Sequence, residues 1–176
     1  MPSATNRSKR TNRTKRLAIS AMFAALALIF SYVEAIIPFS VGIPGVKLGI
    51  ANLVVIIALY EMNFRYAFTI NIIRILVAGL LFNGLFGAVY SLSGGILSLV
   101  IMWILKKTGW FSMIGVSMAG GVAHNIGQLL IAAAVVSNLR MFLYFPILMF
   151  SGIVSGIAIG VVACFIDEKL PKYLFR

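Results

Sequence analysis

The sequence predicts an all-α integral membrane protein: a single bundle of six transmembrane helices with both termini cytoplasmic. Three observations carry that prediction. Hydrophobic residues fill 61% of the 176 positions and charged residues 11%, with a mean hydropathy of +1.05, whereas soluble domains average about 25% charged residues. The apolar residues fall into runs near the ~20 residues that a spanning helix needs. The basic residues, finally, are distributed with a strong sidedness along those runs.

The first 16 residues form a basic tail, expected to be irregular, that holds Arg7, Lys9, Arg10, Arg13, Lys15 and Arg16. A net charge of +11 in a soluble chain would point toward nucleic acid. Here the cluster directly precedes an apolar span, which reads as a cytoplasmic segment facing anionic lipid, with no nucleic-acid partner. The first apolar segment, 17–37, lacks a small-x-small cleavage site and is followed by more membrane segments, so it reads as a retained span rather than a removed leader.

The second segment, 48–62, is short and follows "PFSVGIPGVK", a Pro/Gly-rich connection expected to dip back into the bundle. Irregular backbone at that depth requires protein or water to satisfy it. The remaining spans are 64–83, 86–105, 112–137 and 144–166, so the membrane domain covers 17–166 and a short cytoplasmic tail covers 167–176. With the N-terminus inside, cytoplasmic regions hold twelve Lys/Arg residues against two, Lys47 and Arg140, in outer loops, and Arg74 falls within a span. That asymmetry sets the orientation at the cell membrane. In the last span "GIVSGIAIG" places Gly152, Gly156 and Gly160 on one face, a ridge suited to close helix packing within the chain.

Polar residues inside spans are few, and each is expensive in lipid. On a helical projection Ser117, Gly121, His124, Asn125 and Gln128 share one arc of the fifth span, Ala67, Asn71, Arg74 and Ala78 form a stripe on the third, and Ser20, Ala24, Ala27, Ser31 and Glu34 form a stripe on the first. Asn52 joins from the second. Two readings stand: a buried network that fixes helix register, or a cavity opening outward that binds a small-molecule ligand. On the second reading the site is Glu34, Lys47, Asn52, Asn71, Arg74, His124, Asn125 and Gln128, and its cationic excess leans toward an anionic or strongly hydrogen-bonding ligand. Opposite the stripe of the first span, Ala18, Ala21 and Ala25 form a smooth face fit for a partner.

The acids are Glu34, Glu61, Asp167 and Glu168. Prenyl-diphosphate chain elongation needs clustered carboxylates to hold Mg²⁺ against diphosphate, and four scattered acids do not provide them. No G-x-x-x-x-G-K-[ST] phosphate loop and no G-x-S-x-G elbow occur. One cysteine and one histidine form no metal set, so no cofactor or metal is expected. The chain therefore reads as a non-enzyme. A channel or a proton-coupled carrier using His124 is a further class, and it predicts flux from this chain alone.

The segments "KLGIANLVVIIALY", "IIRILVAGLLF", "SLSGGILSLVIMWILKK" and "GGVAHNIGQLLIAA", in this order, resemble the Gx transporter family, whose members are widely labelled heptaprenyl diphosphate synthase component I. That family is similar to the substrate-binding S components of energy-coupling-factor transporters. The resemblance implies an S-component-like bundle with six helices, both termini inside, and an alanine pattern on the first helix that docks a transmembrane coupling protein working with ATPase subunits. It implies substrate capture for uptake, with the alternative of a non-catalytic membrane component of heptaprenyl diphosphate synthase. The site residues rest on helical faces and on the matching stretches, and no ligand residue is carried over from the family.

Overall fold

The computed structural model describes residues 4–37, 49–171 and 175. Six α-helices follow one another: α1 (Ala4–Ile36), α2 (Ile50–Glu61), α3 (Phe64–Ala78), α4 (Gly84–Thr108), α5 (Met113–Val136) and α6 (Phe145–Lys169). A π-helical turn, Gly79–Asn83, links α3 to α4, and a 3₁₀ segment, Leu139–Tyr144, leads into α6. Five of the helical stretches are long and apolar enough to cross a membrane, the pattern of a multi-pass membrane protein.

Two expectations change. Residues 4–16, expected to be an irregular tail, are the start of α1; nothing in that polar run breaks a helix, since it holds neither Pro nor Gly. The second change concerns α2, which at 12 residues rises about 18 Å, well short of the ~30 Å hydrocarbon core. It starts late because Gly49 sits in the left-handed region (φ 73°), where glycine avoids the Cβ penalty. It ends at the tight turn before α3, whose first turn is capped by Asn63 Oδ1 accepting from the Arg65 and Tyr66 amides at 3.1 and 3.4 Å. Among the described residues the bundle therefore has five long apolar helices around a short interior one. The connection expected to dip into the bundle lies outside the described residues.

The long helices pack in sequence, α1 against α3, α3 against α4, α4 against α5 and α5 against α6, while α2 touches α1, α3, α4 and α6. Eight of the twelve α2 residues are buried. Its apolar length forms the core with Ala27, Ile70, Leu99, Met102, Val116 and Ala163. The far end of α2 is closed by Lys106, whose Nζ donates to the Leu59 and Tyr60 carbonyls at 2.6 and 3.3 Å. A cation there satisfies orphan carbonyls and complements the helix dipole.

Glycine sets the tightest interfaces. A Cβ on Gly152 would lie 2.9 Å from the Gly121 carbonyl, one on Gly156 2.7 Å from Met118 Cα, and one on Gly160 2.8 Å from Ile114 Cα. The ridge of the last span thus packs within the chain, against α5. At the α4–α5 contact, a Cβ on Gly127 would lie 2.7 Å from the Ser93 carbonyl. At one pole of the bundle Arg16 Nη2 donates to the Phe175 carbonyl at 3.4 Å, and the Phe23 and Phe175 rings meet edge to face at 6.2 Å.

Candidate ligand-binding site

At the opposite pole, the end of α1, the start of α2, the later part of α3, the early part of α4 and the later part of α5 enclose a cavity of about 230 Å³. Polar residues on its wall are Ser31, Glu34, Asn52, Arg74, Ser91, His124 and Gln128; Ala35, Gly49, Ile75 and Ala78 complete it. The volume lies below the ~300–1,000 Å³ of drug-sized sites, which restricts an occupant to a small metabolite.

Arg74 organises the cavity. It is 8% exposed, and its guanidinium is fixed by two amides: Nε donates to Asn71 Oδ1 at 3.0 Å and Nη2 donates to Asn52 Oδ1 at 2.8 Å. Asn71, 1% exposed, is itself anchored because its Nδ2 donates to the Gly95 carbonyl at 3.0 Å. The absence of side chains at Gly94 and Gly95 brings α4 close enough for that bond: a Cβ on Gly95 would lie 3.1 Å from Asn71 Nδ2. A guanidinium carries five N–H donors, so two bonds leave donor capacity. Glu34 lines the same cavity, but its Oε1 accepts the Ile50 amide at 2.7 Å. It thereby satisfies one of the orphan N–H groups at the start of α2, where the dipole favours a negative charge. Gln128 is 2% exposed, and its Nε2 has no hydrogen-bond partner among the described residues.

The expected site residues divide into four groups. Glu34, Asn52, Arg74, His124 and Gln128 meet at this cavity. Asn71 stands behind Arg74 and off the wall, so it positions the guanidinium. Asn125 is off this wall: its Nδ2 donates to the Leu148 carbonyl on α6 at 2.7 Å, and it lines an adjoining space of about 30 Å³ that shares Gly49, Asn52 and His124 with the cavity, a volume suited to ordered water. Consecutive helix residues point ~100° apart, so Asn125 and His124 do not serve one cavity equally, although His124 borders both. Lys47 lies outside the described residues. Ala18, Ala21 and Ala25 are all exposed on α1, while Ala27 across the helix is fully buried.

Sequence reasoning missed Ala35, Gly49, Ile75 and Ser91. The signal for Ser91 was its position three residues before the Gly94–Gly95 pair, which brings that turn of α4 against α3 and α5. Among the described residues, no cluster of three or more His, Cys, Asp or Glu side chains could hold a metal ion.

No curated protein and no solved structure matches this chain. The family described as Heptaprenyl diphosphate synthase component I matches residues 23–166, which include every helix that lines the cavity, and the chain belongs to that family.

Proposed function

We propose that the chain is a membrane-embedded, ligand-holding component of a larger assembly and leaves the chemistry or the energy input to partner subunits. Its family is that of a synthase component, and the chain is not itself the enzyme. The observation that carries the ligand-holding role is the buried Arg74, held by Asn71 and Asn52 so that its remaining donors border a cavity. A purely structural arginine would spend its donors on the protein.

Family membership supports heptaprenyl diphosphate synthase as the assembly, with this chain as its non-catalytic membrane component in isoprenoid synthesis. The described geometry favours a second reading: the substrate-binding component of an energy-coupling-factor-type uptake transporter. Its support is the enclosed polar cavity at one pole and the exposed Ala18/Ala21/Ala25 face on α1. On that reading both termini are cytoplasmic, substrate enters from outside, and a transmembrane coupling protein with its ATPase subunits docks on α1.

Affinity purification of the tagged chain from its native membrane in mild detergent, with mass spectrometry of co-purifying proteins, separates the two. Recovery of an aspartate-rich prenyltransferase subunit establishes the synthase reading. Recovery of a multispan protein together with ATPases establishes the transporter reading. Recovery of the chain alone, with flux in liposomes, removes both.

A further inference from the structure

Two opposite formal charges line one cavity without bonding to each other. Arg74 is held by the side chains of Asn71 and Asn52, and Glu34 by the Ile50 amide. Both groups border the same space of about 230 Å³. In a poorly hydrated interior, unlike charges attract far more strongly than in water, and a direct pair would be the simplest way to satisfy them. The bonds to neutral groups leave each with unused capacity: N–H donors on the guanidinium and a second oxygen on the carboxylate. Gln128 borders the same space, but its Nε2 is itself covered by protein and has no hydrogen-bond partner among the described residues.

We propose that this cavity recognises a small dipolar molecule, with an oxyanion taken by Arg74 and an ammonium group taken by Glu34. The inference rests on the ligand-holding role proposed above and names the class of ligand. Charge balance is the deciding argument. Arg74 and Glu34 cancel, so a ligand of zero net charge leaves the cavity neutral. A polyanion such as diphosphate would leave several uncompensated charges in a low-dielectric space, which is strongly unfavourable. The dipolar pair occurs on α-amino acids and on the phosphoethanolamine headgroup of a lipid.

The test is thermal unfolding and equilibrium binding of the full-length chain, purified in dodecyl maltoside. The probes are each of the twenty L-amino acids, glycerophosphoethanolamine and inorganic diphosphate. One or more amino acids should raise the unfolding temperature. For each that does, the analogue lacking the amino group and the analogue lacking the carboxylate should bind at least about tenfold more weakly, a loss of ~1.4 kcal/mol. In the E34Q variant, the preference for the intact amino acid over its deaminated analogue should disappear while the carboxylate is still bound. Because these comparisons use wild-type protein first, they hold even if R74Q fails to fold.

Stabilisation by glycerophosphoethanolamine in place of amino acids upholds the dipolar class and identifies a headgroup as its source. Stabilisation by diphosphate alone, lost in R74Q, overturns the dipolar class but leaves the cavity as a binding site. No stabilisation by any probe overturns the dipolar class, and if R74Q is then as stable as wild type the ligand-holding role falls with it.

Discussion

At the scale of single residues, Asn71 is the side chain on which the cavity depends without being part of its wall. It donates to Gly95 on α4 and accepts from Arg74, so one amide ties two helices and aims the guanidinium. Asn71→Ala should destabilise the protein by about 1–3 kcal/mol, the usual consequence of leaving a buried polar partner unsatisfied, and should weaken ligand binding as well. Thermal unfolding of N71A, R74Q and the double variant checks it: the two effects should be far from additive, since both residues belong to one network. Asn125→Ala provides the contrast. It frees the Leu148 carbonyl on α6 and should lower the unfolding temperature while ligand affinity stays as in wild type. The helical projection identified which faces of α1, α3 and α5 turn inward, because spacing along a helix fixes direction. It did not reveal each side chain's partner: Glu34 serving the start of α2 and Asn125 reaching α6 depend on which helix stands opposite, and spacing within one segment carries no information about that.

At the scale of elements, α2 is held at both ends by charge from its neighbours, with Glu34 from α1 on its first amide and Lys106 from α4 on its last carbonyls. Lys106→Met should cost about 1–2 kcal/mol, since it leaves two helix-end carbonyls without that cation in a partly buried setting. The six helices were legible as apolar runs, and the observed bounds of α3 through α6 fall within a few residues of the expected ones. The shortness of α2 was legible in the brief run 48–62, but its exact start was not, because composition does not see that Gly49 takes a left-handed conformation. The glycine ridge of α6 was legible because small residues every fourth position share a face, and the α5 backbone fills that face. Gly156→Leu should be severely destabilising, more than the ~1–3 kcal/mol of ordinary overpacking, because the nearest obstacle is the Met118 Cα at 2.7 Å and not a flexible side chain. Chemical denaturation in detergent should show a loss larger for G156L than for Gly109→Ala; Gly109 has positive φ, unlike Gly156, but nothing lies within 4 Å of its added Cβ.

For the whole molecule, the two poles have different characters. One holds the polar cavity; at the other, Phe175 packs on α1 beside Arg16 and the α2–α3 turn approaches through Met62 and Tyr66. The core of α2 joins the poles. A fold of this kind lets a ligand enter at one surface while partners engage the lipid-facing side, and α1 is the element exposed along the most of its length. The alanines at 18, 21 and 25 are exposed, and no bulky side chain at those positions separates an approaching helix from the α1 backbone. Small residues permit that kind of approach in lipid, where apolar burial between helices provides little drive. If α1 is the docking element, A21L/A25L should reduce recovery of the partner subunits in affinity purification by about tenfold or more, the result of losing ~1.4 kcal/mol or more of helix contact. Because both positions face away from the cavity, binding of small molecules and the unfolding temperature should stay at wild-type values. Undiminished recovery of the partners by the double variant would place the docking surface on another helix, and substitutions at Ile73 and Leu76 on the exposed side of α3 would be the next measurement.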